Sequence, residues 1–432
     1  MVDLTISYTT DLNGTAHAPS SKAYTHRALV AGLLSSGVTR IVNPLASNDT
    51  LATLGAVKAL GAMARLEKNA WVIEGVAEVQ PSSRPIDCAD SGATFRFLLP
   101  VAALANGVSS FIPGHSLERR PLQPLLRSMG RLGAETESRR TASGLIIQVR
   151  GGGVKGGRTR IRGNISSQFI SGLLFAAPKA TEDVEIQLST PLESRRYVEI
   201  TLEVLSKHGV VVKRSADFEQ FHVPSHQRYK PSNHEIPGDF SSAAFILAAA
   251  AVTSSRVKVD NLNRPTLQAD GEILATLAKM GLTIREKMGC VEIEGRVKHP
   301  LDVDCADVPD LVPVYAVLAC YSNGLSRIRN AGRLRYKESD RLSSLCTELT
   351  KMGVTISAID DGLLIKGRCK LHGARIDPRD DHRIAMACTV AGLGASGETI
   401  IQDSECIAKS YPRFFDDLRS LGAEISVGKF NR

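Results

Sequence analysis

The seven residues Lys279–Arg285, K-M-G-L-T-I-R, return 72 positions later as K-M-G-V-T-I-S, Lys351–Ser357. In each copy an amphipathic run ends on Lys-Met, a glycine follows, and a short β-branched stretch begins. Glycine just beyond a helix takes the left-handed conformation that turns the chain away. The motif therefore predicts a helix, a stop and a strand. The same punctuation recurs at Gly61 in A-L-G-A-M-A-R-L, Gly133 in R-L-G-A-E-T-E, Gly209 in K-H-G-V-V-V-K and Gly422 in S-L-G-A-E-I-S. Successive glycines stand 72, 76, 72, 72 and 69 residues apart.

A second landmark keeps the same period. Six segments open on polar residues and continue as helices rich in small apolar side chains. They start at Ser20 (S-S-K-A-Y-T-H-R), Asp90 (D-S-G-A-T-F-R), Ser166 (S-S-Q-F-I-S-G), Asp239 (D-F-S-S-A-A-F), Val308 (V-P-D-L-V-P-V) and Asp381 (D-H-R-I-A-M-A). Two landmarks of one period identify internal repeats, here six βαβ-type units in an α/β chain. The one long segment dense in Pro, His and polar residues, His222–Asp239, follows the third unit, so the division is three plus three. Val2, Leu4, Ile6 and Tyr8 alternate with polar residues and predict an opening strand able to pair with the second half. The expected domains are residues 13–235, and residues 1–12 with 236–432, with hinges near 12–14 and 236–238.

Composition narrows the class. The 432 residues are 43% hydrophobic and 23% charged, which is ample for packed cores. The net charge of +8 is spread without a basic run, so it fits small anions as well as RNA. The N-terminus shows neither the basic nor the apolar region of a signal peptide. The longest apolar run, Ala243–Val252, is half a membrane span and reads as a buried helix. Eight cysteines without C-x-x-C spacing predict buried thiols in a reducing, cytoplasmic setting rather than disulfides or zinc. No metal site is expected.

The chemistry is expected at the polar helix starts, where free N–H groups and the helix dipole favour anions. Capping alone accounts for Asp239, Ser241 and Ser242. Ser166-Ser167-Gln168 can do more, since two hydroxyls and an amide can meet three oxygens of one phosphate. Cations recur at equivalent points: Lys22, Arg27, Arg96, Arg119, Arg120, Lys337, Arg341, Arg383 and Lys409. A lone surface cation needs no explanation; recurrence at one point of a repeat implies a polyanionic ligand. R-Y-K-E-S-D-R-L, Arg335–Leu342, reads as the charged first turn of a helix with Lys337 and Arg341 on one face. Gly92 permits either helix packing or close approach of backbone to ligand. Asp310, Glu338, Asp49 and His382 are the acid–base candidates. The glycine-rich Arg150–Arg158 lacks a phosphate-loop ending and reads as a connection between strands.

These motifs, in order, resemble 5-enolpyruvylshikimate-3-phosphate synthase. S-K-x-x-x-x-R at Lys22, S-G-x-x-x-R ending at Arg96, E-R-R-P at Arg120, S-S-Q at Ser166, R-x-K-E-S-D-R at Lys337, D-D-H-R at Arg383 and A-K-S-Y-P at Lys409 carry the likeness. The resemblance implies a two-domain inside-out α/β barrel with three βαβαββ repeats per domain. It implies transfer of the enolpyruvyl group of phosphoenolpyruvate to the 5-hydroxyl of shikimate 3-phosphate, with release of phosphate and no metal or organic cofactor. It implies a monomer that binds no nucleic acid or membrane. Ser166, Ser167, Ser194 and Lys337 would hold the shikimate phosphate and Arg27 its carboxylate. Gln168 would lie between the substrates and Tyr197 near the ring. Lys22, Gly92, Arg120, Arg341, Arg383 and Lys409 would surround phosphoenolpyruvate. Asp310 would accept the hydroxyl proton, and Glu338 and Lys22 are the candidates for proton exchange at the methylene carbon.

The chain departs from the common pattern at Ser20, Ala23, Asp90, Ala93 and Arg333, none of which is a proposed catalytic group. Two other readings are an enolpyruvyl transferase acting on UDP-N-acetylglucosamine and an RNA-binding or RNA 3′-phosphate-processing protein on related repeats. The first family commonly uses a loop cysteine near Gly114–Arg120, which holds none here. The second would call for an aromatic and basic platform, and none stands out.

Overall fold

The structure, a computed structural model, describes residues 2–142 and 144–428. Its strands form six four-stranded sheets, one per repeat. The fifth repeat shows the plan. Strand Asp302–Asp304 leads through helix Val312–Tyr321 to the parallel strand Leu325–Arg329. Helix Arg341–Lys351 then leads to a hairpin of Thr355–Ile359 and Gly362–Lys366, whose second strand pairs antiparallel with Leu325–Arg329. This is a βαβαββ unit. The six landmark glycines all have positive φ, from 74° at Gly209 to 110° at Gly61, as the helix stops require.

The small-residue helices lie inside because they are apolar on every side. Every residue from Phe240 to Ala251 is buried, as is every residue from Gly92 to Ala102. Each fully buried leucine or phenylalanine contributes about 1.5–3 kcal/mol, and small residues let such helices pack closely. A methyl group on Gly172 would stand 2.1 Å from the Arg96 carbonyl oxygen. Only glycine there lets helix Ser167–Ala176 approach helix Gly92–Ala102 so nearly.

The contacts divide the chain into a continuous unit, Ser20–Ile236, and a discontinuous unit of the residues up to Pro19 with those from Pro237 onward. Strands remote in sequence complete three of the sheets. His234–Glu235 pairs in parallel with Val38–Val42 and opens the first repeat's sheet. Asn13–His17 pairs in parallel with Arg256–Asp260 and opens the fourth. Leu4–Ile6 lies between Thr399–Ile401 and Ile425–Val427 and closes the sixth. The boundary expected near residue 13 thus moves to Pro19, since Asn13–His17 belongs to a sheet of the discontinuous unit. Among the described residues no helix is long and apolar enough to cross a membrane. All eight cysteines are free; Cys290, Cys346 and Cys369 are partly exposed, the other five buried.

The polar segment His222–Asp239 is packed rather than a loose linker. The Tyr229 hydroxyl donates to the Phe175 carbonyl at 2.7 Å. The His208 and His234 imidazoles meet at 2.8 Å between their Nε2 atoms, and His208 Nδ1 lies 2.7 Å from the Lys230 carbonyl. Burial pulls His208 down to about 4, against the pull of that carbonyl, and His234 to about 3, with His208 and Lys207 adding. Both imidazoles are therefore neutral in the fold but take up protons in the unfolded chain near pH 6.5. Their contribution is present above pH 6.5 and is lost as pH falls towards 4. Urea titrations at pH 6.5 and pH 4 should show a fall in unfolding free energy that His234→Asn makes shallower by about 1–3 kcal/mol. An equal fall in both proteins would refute the assignment.

Candidate active site

In the discontinuous unit the candidate residues gather around Asp310, on the turn Pro309–Leu311 ahead of helix Val312–Tyr321. Arg341 Nη1 lies 3.1 Å from Asp310 Oδ1, Arg383 Nη2 lies 3.1 Å from Oδ2, and Lys337 Nζ is 4.0 Å from Oδ1. Arg341 is 1% exposed and also meets Glu338 at 2.6 Å and Asp381 at 2.9 Å. Asp381 caps helix His382–Leu393 through the Arg383 N–H at 3.0 Å and accepts the Ser339 hydroxyl at 3.0 Å. Lys409, ending the turn Ser404–Lys409, donates to the Asp380 carboxylate at 2.7 Å and its carbonyl at 2.8 Å. Arg333 donates to the Ala306 carbonyl. His382 is buried beside Asp381.

The stretch Arg335–Leu342 departs from its expected form. Gly332–Tyr336 is a 3₁₀ turn, Lys337 is extended, and the α-helix begins only at Arg341. Asp340 is the N-cap, accepting the Ser343 N–H at 3.1 Å, rather than a first-turn acid. Lys337 and Glu338 precede the helix, so Lys337 and Arg341 do not share a helical face. They converge through Asp310. Desolvation pulls the Lys337 ammonium down to about 8; Asp310 and Glu338 oppose it, and Arg341 and Arg333 add to it.

The continuous unit carries a second cluster. Lys22 opens helix Lys22–Leu34 and pairs with Asp49 at 2.9 Å. Arg27, one turn on, is 2% exposed and makes no ion pair among the described residues. It donates to the Thr201 hydroxyl at 2.7 Å and to the carbonyls of Ala23 and Tyr197, both at 2.9 Å. It also lies 5.0 Å from the Phe97 ring centroid and 6.0 Å from that of Tyr197. Desolvation pulls Arg27 down to about 10.

Gly92 starts the next helix, and a methyl group there would stand 3.0 Å from Arg96, 3.2 Å from Gln168 and 3.4 Å from Arg120. Glycine therefore keeps open a small space ringed by two guanidiniums and an amide. Arg96 donates to Gln168 Oε1 at 2.7 Å, and Arg120 to the Ser116 hydroxyl at 3.0 Å. That hydroxyl in turn donates to Asp90 at 2.8 Å, so Asp90 helps to aim Arg120. Ser166 caps helix Ser167–Ala176, with Ser167 in its first turn. Ser194 holds φ at 54° ahead of helix Arg195–Lys207 and leaves its hydroxyl out of the cap.

The structure thus brings Asp310, Lys337, Glu338, Arg341 and Arg383 into one network and ties Lys409 to its edge through Asp380. Lys22 and Arg27 lie on one helix but meet different partners, Asp49 for Lys22 and Thr201 and Tyr197 for Arg27, while Gly92, Arg120 and Gln168 form a further group. The sequence marks Asp381 as the start of the sixth small-residue helix and Asp49 as an acid–base candidate, but it shows neither the pairing of Asp381 with Arg341 nor that of Asp49 with Lys22, and nothing in it singles out Asp380.

Comparison with known proteins identifies the family. A family model described as EPSP synthase (3-phosphoshikimate 1-carboxyvinyltransferase) matches residues 6–418. The 3-phosphoshikimate 1-carboxyvinyltransferase of Methanocella arvoryzae is 45% identical over 420 residues, 96% of this chain and 98% of that protein. That of Methanocaldococcus jannaschii is 40% identical over 428 residues, 98% of this chain and 99% of that protein. The solved structure of EPSP synthase from Acinetobacter baumannii shares the fold, with a TM-score of 0.81 at 24% identity over 99% of this chain and 100% of that one. The chain belongs to the EPSP synthase family.

Proposed function

We propose that this protein transfers the enolpyruvyl group of phosphoenolpyruvate to the 5-hydroxyl of shikimate 3-phosphate by addition and elimination. The observation that carries the reading is Asp310, an aspartate with Arg341, Arg383 and Lys337 at 3.1, 3.1 and 4.0 Å. Three cations favour its charged form, so it can take a proton. Asp310 accepts the 5-hydroxyl proton as the oxygen attacks C2 of phosphoenolpyruvate. Glu338, or Lys22, supplies the proton that C3 gains. A tetrahedral intermediate results; one proton of its C3 methyl group returns to the residue that donated there, and phosphate departs as the Asp310 proton passes to it or to water, giving the product.

The cations offset the two phosphates and two carboxylates that the substrates bring together, and they hold the reacting atoms in line. Ser166, Ser167, Ser194 and Lys337 bind the shikimate phosphate, Arg27 the carboxylate, and Gln168 and Tyr197 the ring side. Lys22, Gly92, Arg120, Arg341, Arg383 and Lys409 bind phosphoenolpyruvate. We read the protein as a cytoplasmic monomer, on the family likeness.

The direct test is phosphate release on mixing the protein with both substrates. Release only with UDP-N-acetylglucosamine in place of shikimate 3-phosphate, or RNA binding without turnover, would overturn the reading. Lys337→Met should lower kcat/KM by about a hundredfold or more while the melting temperature stays within a few degrees; lost stability with activity kept would make Lys337 structural. Since Lys337 is charged below about 8 and neutral above, KM for shikimate 3-phosphate should rise with pH through that value. Lys337→Arg should move that rise upward by about two units or more, because guanidinium keeps its charge. A rise at the same pH in both proteins would assign it elsewhere.

A further inference from the structure

Glu348, on helix Arg341–Lys351, belongs to none of the groups assigned above, yet it is a carboxylate with 0% exposure. Its Oε2 accepts from the Lys351 ammonium at 2.6 Å and from the Asp377 N–H at 3.1 Å. Its Oε1 meets no hydrogen-bond donor among the described residues. The Lys351 side chain is 41% exposed and reaches on to the Arg375 carbonyl at 3.4 Å. A buried carboxylate with one oxygen unmet, and its cation at the surface, is less favourable than an apolar side chain of like size. Stability alone therefore gives no reason for a glutamate here. The bond to Asp377 gives one.

Asp377 opens the loop from strand Arg375–Ile376 to helix His382–Leu393. Asp377 Oδ1 accepts the Arg379 N–H at 2.8 Å, and the Asp381 N–H donates to the Pro378 carbonyl at 2.9 Å. Arg379 and Asp380 both hold left-handed backbone, with φ of 53° and 56°. A Cβ disfavours that conformation, so two such residues in a row persist only where their surroundings hold them. One helix holds this loop at both ends. Arg341 and Glu348 are two turns apart and share a face, with about 10 Å between them along the axis. Arg341 Nε grips the loop exit at Asp381 Oδ2, 2.9 Å away, and Glu348 grips the entry at the Asp377 N–H. Between the two grips stands Asp380, whose carboxylate and carbonyl hold Lys409. Arg383 follows at once, its N–H on the Asp381 carboxylate.

We propose that Glu348 is a positioning residue that clamps the entry of loop 377–381 and so sets where Lys409 and Arg383 stand for phosphoenolpyruvate. The inference rests on the reading of those two cations as phosphoenolpyruvate ligands. Glu348, fully buried, touches no substrate and transfers no proton.

Steady-state kinetics with each substrate varied in turn test this. Glu348→Met fills the space but offers the Asp377 N–H no acceptor, which frees the loop entry. KM for phosphoenolpyruvate should rise about tenfold or more, while KM for shikimate 3-phosphate stays within about twofold. Glu348→Gln keeps an acceptor and should hold KM for phosphoenolpyruvate within about threefold of wild type. Both KM values unchanged in Glu348→Met, or both raised alike, would mean a purely structural role and overturn the proposal. Glu348→Gln behaving like Glu348→Met would overturn it too. If Glu348→Met does not fold, Lys351→Met decides. It removes the half-exposed cation that orients the carboxylate and should raise KM for phosphoenolpyruvate alone, by about threefold or more; an unmoved KM counts against Glu348. Wild type is assayed in parallel with both substrates. No turnover there overturns the reading of the function and this inference with it. Turnover there, without a split between the two KM values in the variants, overturns this inference alone.

Discussion

A helix that is apolar on every side exists only where protein surrounds it, and this constraint organises the molecule. Phe240–Val252, with every residue from Phe240 to Ala251 buried, cannot be covered by the sheet of its own repeat. The helices Val312–Tyr321 and His382–Leu393 pack against it and against each other, and sheets close the outside. Such helices have no free side, so their contact with solvent or ligand comes at their ends. That is where their polar residues lie. Asp239, Asp381 and the Asp310 turn all stand at N-terminal ends of this buried trio.

The chain completes this arrangement by borrowing strands. Each repeat needs an opening strand and a closing hairpin, and a linear chain cut into two units leaves some of these out of place. Asn13–His17 opens the fourth repeat, His234–Glu235 the first, and Leu4–Ile6 closes the sixth. A parallel partner supplies evenly spaced backbone bonds along strands that would otherwise remain edges. The polar segment after residue 222 is ordered for the same reason. It must deliver His234–Glu235 to the edge of Val38–Val42, and the His208–His234 contact holds it there.

Much of this was legible in the sequence, because the repeat leaves two signals that do not depend on each other. Glycine at the helix stop answers to backbone geometry, and the small-residue run answers to packing; both recur six times. Helix boundaries were less legible. Arg335–Leu342 has helical spacing throughout, yet the α-helix starts at Arg341, where Asp340 caps it and Lys337 is drawn out towards Asp310. Local pattern cannot register a pull that comes from an aspartate 27 residues earlier. The partners of the cations were hidden for the same reason. Asp381 and Asp380 look like ordinary capping and turn residues until the fold sets them against Arg341 and Lys409.

Those partners change how the positive charge is to be understood. A set of cations at equivalent points of a repeat suggests mutual repulsion awaiting a ligand. In the discontinuous unit the cations are instead paired: Arg341 with Asp310, Glu338 and Asp381, Arg383 with Asp310, and Lys409 with Asp380. Buried charges of one sign are costly unless they are compensated, and the carboxylates hold the guanidiniums in place before any anion arrives. Arg27 meets the same cost differently, through hydroxyls, carbonyls and two aromatic rings, with no carboxylate paired to it among the described residues. An anion that reaches Arg27 has no resident carboxylate to compete with, whereas one that reaches Arg341 must share it with three. An anion's electrostatic gain would therefore be larger at Arg27 than at Arg341, where resident carboxylates partly cancel it. What Arg341 contributes is pre-set geometry, which is worth most where charge moves during reaction.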